Sequence, residues 1–450
     1  MTARDASQMT EPAPLGWFGI FRLGLVQAAL GAIVVLTTSA LNRIMVVEYS
    51  LAATIPGALV GFHYAIQLSR PRWGYGSDMG GSRTRWIVGG MAVLALGGVL
   101  AALGTALMGT SFALGLTVSI LAFTLIGIGV GASGTSLLTL LAIRVAPQRR
   151  PAAASMVWIM MIAGFIVTTI AAGAALDPYS PERLVAVSAT VSMVAMIVAT
   201  LALRGIEQGA RAEPQSNTEK PSFREAFGDV WQDDRARNFT IFVFVSMLAY
   251  SAQDLILEPF AGQVFGFTPG ESTQLSGHHN GGVMAGMIVV AIAGSAFKFG
   301  SLRLWAVGGC ITSALAFVGL TMAAQSGGDW PLKANVFALG LANGAFAVAA
   351  IGSMMGLARA GKAKREGTRM GTWGAAQAIA VGLGGFLGTV AMDAARLTTG
   401  SVPQAYGTVF ACEAALFLIA AVIAFRVAPT GEISVSKAAD AEAYGLQAAE

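Results

Sequence analysis

Long, uninterrupted apolar runs constrain this chain more than any other feature. Twelve blocks, at 20–42, 51–68, 87–109, 113–143, 153–175, 184–204, 239–258, 278–297, 304–323, 332–356, 370–391 and 404–427, are separated by shorter polar segments. A helix needs about 20 mostly apolar residues to cross the hydrocarbon core of a bilayer, so each block is long enough, or nearly so, to be a transmembrane helix. Several exceed that length and are expected to tilt or to extend past the bilayer. Only 12% of the residues are charged and the mean hydropathy is +0.67, whereas a water-soluble domain carries about twice that charged fraction. Glycines at four-residue spacing, such as Gly127/Gly131 and Gly340/Gly344, let helix backbones approach closely in lipid. The expected class is an all-α membrane protein, a helical bundle and not a barrel.

Charge placement gives the orientation. With the N-terminus inside, 24 of the 28 Lys and Arg fall on the cytoplasmic side, leaving only Arg43, Arg183, Lys333 and Arg396 outside. That positive-inside bias predicts cytoplasmic termini and an even number of spans. The basic residues are thus sorted by membrane side, which excludes a nucleic-acid-binding surface. The segment Met1–Pro14 is polar and the first apolar block too long for a signal peptide, so no cleavable signal is expected. Cys310 and Cys412 each lie inside an apolar block, which argues against a disulfide framework.

The chain also repeats itself. Gly81-Ser82-Arg83-Thr84-Arg85-Trp86-Ile87-Val88-Gly89-Gly90 matches Gly300-Ser301-Leu302-Arg303-Leu304-Trp305-Ala306-Val307-Gly308-Gly309 at six of ten positions, and Gly127 and Gly131 correspond to Gly340 and Gly344. The two matches stand at nearly the same offset along the chain, which predicts a parallel duplication of six helices. Two halves related by an axis along the membrane normal are the plan of the major facilitator fold. The expected organisation is a cytoplasmic tail at 1–19, a six-helix bundle at 20–204, a cytoplasmic linker at 205–238, a second six-helix bundle at 239–427 and a tail at 428–450. In the linker, Ser222-Phe223-Arg224-Glu225 reads as a capping box opening an amphipathic helix over 222–235. The loop from Gly74 through Asp78 to Arg83 and Arg85 resembles the signature loop of the major facilitator superfamily, with one extra residue before the arginines. Its expected role is fold stability and gating.

Ionisable and metal-ligating residues within the spans are few, and each is a functional candidate because a buried charge is costly. Glu413 in the last span is either a proton site or a neutral, hydrogen-bonded group. His63, followed by Tyr64, falls about 18 Å along the second helix. Its neutral imidazole could be an axial ligand to a tetrapyrrole metal or simply hydrogen-bonded. His278 and His279 open the eighth block, as pigment ligands or as helix-cap and loop contacts. Two segments, Leu41-Asn42-Arg43-Ile44-Met45-Val46-Val47-Glu48 and Gln253-Asp254-Leu255-Ile256-Leu257-Glu258-Pro259-Phe260, each place polar residues before a Glu at the outer boundary. They suggest a salt bridge between Arg43 and Asp254, with interfacial anchoring as the simpler reading. No nucleophile motif, phosphate-binding loop, catalytic acid pair or conventional metal cluster stands out, so the chain does not read as an enzyme.

These residues, above all 253–260 with Gly262 and Val264-Phe265-Gly266, together with 41–48, His63-Tyr64 and Gly74–Asp78, resemble the PucC/LhaA family. This is the bacteriochlorophyll delivery branch of the major facilitator superfamily in phototrophic bacteria, and the resemblance spans roughly residues 15–428. It implies a multi-pass protein of the photosynthetic intracytoplasmic (inner) membrane that assembles light-harvesting complexes. Its expected cargo or ligand is bacteriochlorophyll, and its expected partners are membrane lipid, antenna polypeptides and chlorophyll-synthesis enzymes. Two other readings remain open: a secondary transporter of a small hydrophobic solute, and an assembly scaffold that holds no pigment.

Overall fold

A computed structural model describes residues 14–69, 82–146, 149–207, 234–295, 297, 299–359 and 366–427. The order of helices is α1 (Trp17–Thr38), α2 (Ala40–Arg43) running into a π-helical turn (Ile44–Glu48), α3 (Thr54–Gln67), α4 (Arg83–Met108), α5 (Phe112–Arg144), α6 (Arg150–Leu176) and α7 (Pro181–Leu203). Then follow α8 (Asp234–Ala252) with a 3-10 turn (Gln253–Leu255), α9 (Leu257–Phe265), α10 (Pro269–Ser295), α11 (Leu302–Ser326), α12 (Leu332–Arg359), α13 (Glu366–Thr399) and α14 (Val402–Val427). No strand occurs among the described residues. Nine helices there are long and apolar enough to cross a membrane, and α8 with its 3-10 turn meets the same test together with α9, the two bent by 41° to each other. Every apolar block read from the sequence falls on a helix of this bundle. The signature-loop residues Gly74 and Asp78 and the linker helix 222–235 lie outside the described residues.

The helix ends differ from the apolar blocks where polar residues are buried. The first span continues through Glu48 because Asn42 and Arg43 are buried against the rest of the bundle, at 0% and 3% exposure. Helix α10 begins at Pro269, well before its apolar block, because Ser272 and Thr273 face protein, not water. Helix α13 likewise runs on to Thr399 and carries Asp393 within it.

The buried apolar side chains form two clusters. One, drawn almost entirely from residues 20–206, is aliphatic apart from Phe123. The other, from 239–424, is strongly aromatic: Phe317, Phe410 and Phe417 interlock between α11 and α14, with Phe346 and Tyr406 against them. In lipid such packing, not hydrophobic collapse, holds helices together, and each aromatic pair adds about 0.5–1.5 kcal/mol beyond its area.

A shared glycine device shows the duplication. A β-carbon at Gly127 of α5 would lie 2.8 Å from the His63 carbonyl oxygen of α3, and one at Gly340 of α12 would collide with the His279 carbonyl of α10. Only glycine permits either crossing. His63 and His279 therefore correspond in the two halves; the 216 residues between them, midway between the 213 and 219 of the two sequence matches, are the repeat distance of these helices.

Candidate functional site

The two halves meet through buried polar groups at the end of the bundle that is poor in Lys and Arg, the end that the positive-inside bias assigns to the outside. Glu258, on the first turn of α9 and 1% exposed, accepts hydrogen bonds from Ser39 (2.5 Å), across the seam, and from Ser276 of α10. Asn42 donates to the Leu255 carbonyl at 2.8 Å and Gln263 to the Val46 carbonyl at 3.3 Å. Tyr406 in turn donates to Gln263 at 3.0 Å. Arg43 pairs with Glu48 and donates to the Phe267 carbonyl at 2.6 Å.

The expected Arg43–Asp254 bridge does not form. The bend after Leu255 turns Glu258 into the seam, and Glu48, which follows Arg43 across the π turn, takes the guanidinium. Asp254 points the other way: it is exposed, has no hydrogen bond or ion pair among the described residues, and lies in electrostatic reach of Tyr250 and Glu413. Tyr250 also interacts with Tyr64 of the other half. Glu413 is 2% exposed, and neither carboxylate oxygen has a partner among the described residues. Electrostatic influence thus runs from Glu413 through Asp254 and Tyr250 to Tyr64 in the other half.

Two further carboxylates clamp the same end, and sequence reasoning missed both. Asp393 of α13 accepts from the amides of Ala53 and Thr54 (3.0 and 2.8 Å) and from the Thr54 hydroxyl (2.6 Å), capping α3 of the other half. Asp177, after α6, accepts from the Thr268 hydroxyl (2.7 Å) and the Gly270 amide (3.1 Å), capping α10 of the other half. Side-chain acceptors at a helix start satisfy amides that have no partner within the helix. The two aspartates are separated by the same length of chain as His63 and His279. That repeat distance was the signal that could have found them. Among the described residues, no comparable set of cross-half hydrogen bonds occurs at the opposite end.

The equivalent histidines sit in unlike surroundings. His63 is fully buried; its Nδ1–H donates to the Val60 carbonyl at 2.5 Å, and its ring packs on Tyr64 (4.2 Å between centroids) and Phe123 (6.2 Å). A flat macrocycle cannot reach that ring without parting α3 from α5. Buried His279 receives amide hydrogen bonds at Nε2 from Gln253 (3.1 Å) and Asn343 (3.4 Å). The Asn343 orientation follows from its Oδ1, which accepts from Ser313 at 2.8 Å. His278, the next residue back, is exposed, and its Nδ1–H donates to the Gln274 carbonyl at 2.9 Å. No group of three or more His, Cys, Asp or Glu positioned for a metal ion occurs among the described residues.

At the other end, Arg83 and Arg85 of the signature loop start α4. Arg85 is exposed, and the Arg83 amide donates to Glu207 at 2.6 Å. Ser82 and the Thr84 amide complete this cap, at 2.8 and 2.9 Å. Burial pushes the Glu207 carboxyl up, but these hydrogen bonds outweigh it and hold it below the ordinary value of 4.5.

Comparison with known proteins follows the same lines. In its overall path the chain is similar to the peptide transporter POT (TM-score 0.69, 13% identity, 93% of this chain and 96% of that one). It is also similar to a bacterial homologue of the lysosomal transporter Spinster (TM-score 0.65, 16% identity, 91% and 96%). At those identities the likeness shows the fold alone, an all-α membrane bundle of the major facilitator type. In sequence it is 52% identical over 413 residues to the "Bacteriochlorophyll synthase 44.5 kDa chain" of Rhodobacter capsulatus, covering 92% of this chain and 96% of that relative. It is 29% identical over 443 residues to "Protein PucC" of the same species, covering 94% of each. The family described as PUCC protein matches residues 40–431. This chain belongs to the PUCC protein family.

Proposed function

We propose that the protein is an assembly factor of the photosynthetic membrane that binds bacteriochlorophyll and delivers it to the antenna apoproteins of a light-harvesting complex. The observation that carries this reading is the 52% identity, along nearly the whole of both chains, to a relative named for bacteriochlorophyll synthesis. The physics of the bundle supports it. A pigment with a long isoprenoid tail partitions into lipid and needs no charged central chamber. The membrane-facing surface carries large exposed apolar side chains, among them Val167, Ile170, Leu315 and Leu397. The protein acts as carrier and chaperone, not as an enzyme: bacteriochlorophyll is its cargo, and membrane lipid, antenna polypeptides and pigment-synthesis enzymes are its partners. Its place is the inner, intracytoplasmic photosynthetic membrane.

Deleting the gene from a phototrophic host tests this. The near-infrared antenna bands of the membranes should fall while bacteriochlorophyll continues to be made. Unchanged antenna bands would contradict the reading.

A second reading has an observation of its own. Asp254 lies in electrostatic reach of Glu413 and of Tyr250, and Tyr250 of Tyr64 in the other half, in a fold shared with transporters, which suits a solute coupled to proton movement. Glu413→Gln and Asp254→Asn should then abolish function. Under pigment delivery both variants restore the antenna bands.

A further inference from the structure

We propose that His278 is the axial ligand of a magnesium tetrapyrrole that docks on the lipid-facing surface of α10, outside the space between the halves. The inference rests on the pigment-handling reading above and adds the place and the ligand atom.

The position of His278 is fixed by its neighbours. Counted from Pro269 at the start of α10, it stands about 14 Å along the helix. Gly277 packs on Thr169 and Ile170 of α6, while Val167 and Ile170 of that helix are 67% and 49% exposed. Large apolar side chains exposed at this level face hydrocarbon. Val289 and Ile292, about three and four turns further along α10, continue the same stripe and are also exposed. His278 therefore stands on the same outward face as these apolar side chains, toward the Pro269 end of α10.

The fold does not call for histidine there. At the repeat distance its counterpart in the first half is Phe62, which is also exposed, the kind of residue that a lipid-facing position ordinarily holds. An imidazole in hydrocarbon costs free energy unless both ring nitrogens find partners. Polar groups that persist within membrane spans mark function by default.

The ring is also oriented as a metal ligand is. Its Nδ1–H is held by the Gln274 carbonyl, which leaves the lone pair on Nε2, and Nε2 has no partner among the described residues. A backbone carbonyl on one nitrogen fixes the tautomer and strengthens the other as a donor to metal. One turn along the helix, Gly281 leaves the surface flat: the nearest atom to a β-carbon built there is on the Phe337 ring, 3.9 Å away. Phe337, 40% exposed, borders that shelf. A planar, apolar macrocycle whose metal lacks a fifth ligand fits a shelf with an upright imidazole at its edge. His63 and His279 are both enclosed by protein and offer no such access.

The test uses the full chain in phospholipid nanodiscs, titrated with bacteriochlorophyll, reading retained pigment and its visible absorption, which reports axial ligation. His278→Gly should lose the bound pigment, and added imidazole should restore both retention and spectrum. His278→Phe, which copies the first half and keeps the surface apolar, should elute as the native protein does but without pigment. His279→Gln should retain it. Pigment retained with an unchanged spectrum in His278→Gly would overturn this site and leave pigment handling standing, as would a loss that imidazole does not reverse. Wild-type protein that retains no pigment would overturn both.

Discussion

His63 and His279 occupy the same register in the two halves, each with its carbonyl under a glycine of the neighbouring helix, yet their rings meet different chemistry. The first lies against Tyr64 and Phe123; the second is held by Gln253 and Asn343. Duplication has kept what the backbone requires, glycine at a close crossing and aspartate at the start of a partner helix. The side chains around that frame have diverged. The divergence continues next door, where Phe62 faces lipid in one half and His278 in the other. Features common to both halves are therefore read as architecture, and features found in one half only are the candidates for function.

That division can be broken most forcefully at the seam. Arg43→Ala removes a buried guanidinium that bonds both Glu48, itself about a third exposed, and the Phe267 carbonyl; losing these charged hydrogen bonds should destabilise the detergent-solubilised protein by about 2–3 kcal/mol, read as a loss of thermal stability. Its counterpart position, Pro259, carries no charge, so the pair is a feature of one half. An unchanged melting temperature in Arg43→Ala would mean that the seam adds little to stability.

The glycine crossings come next. Gly340→Ala and Gly127→Ala should each cost on the order of 1–3 kcal/mol through overpacking. Gly340→Ala should cost more, since its β-carbon would press harder on the opposing carbonyl. Gly89 and Gly308, where a β-carbon meets nothing within 4 Å, should accept alanine without loss. Equal tolerance at all four positions would remove the basis for equating His63 with His279.

The aspartate clamps should behave alike. Asp177→Ala and Asp393→Ala each remove a helix cap worth about 1 kcal/mol. Asp393→Ala should be the worse of the two, because Asp393 accepts three hydrogen bonds and Asp177 two. Both variants should raise the labelling, from the outside, of a cysteine placed at the seam. Labelling that stays at the native level would mean that the clamps do not hold this end shut.

The smallest effect concerns pH at the opposite end. Glu207 caps α4, whereas Ser301 caps α11 through the Leu304 amide, so only the first cap titrates. The Glu207 carboxyl is held below 4.5 in the folded protein, so its contribution is present above the ordinary carboxyl range and fades as pH falls through the lowered value. Partial exposure screens it, and the dependence should be slight. Glu207→Gln should flatten the acid limb of the stability profile, and an unchanged limb would rule the group out.

Much of the frame was legible in the residues. Apolar blocks placed the helices, and short repeated motifs gave the duplication to within a few residues. Helix ends were hidden wherever polar groups are buried, as in the first turns of α10, because a Ser- and Gln-containing stretch reads as loop until its partner surface is known. The Arg43–Asp254 pairing misled for a related reason. Linear spacing puts both residues near the outer boundary, but the 3-10 turn leaves Asp254 away from Arg43, and the bend after it turns Glu258 into the seam. Asp177 and Asp393 escaped notice because a carboxylate at the end of a span looks like an interfacial anchor. Their common spacing is informative only once the repeat distance is fixed. Among the three histidines, sequence could not separate enclosed rings from an exposed one, since His278 and His279 are adjacent and differ only in the face of α10 they occupy.

Whether the protein handles pigment at all is tested most directly by the near-infrared absorption spectrum of the tagged full-length chain, purified in mild detergent from a phototrophic host. An unrelated multi-pass protein from the same membranes serves as control. Bacteriochlorophyll should co-purify well above the control. A preparation with no more pigment than the control would contradict delivery.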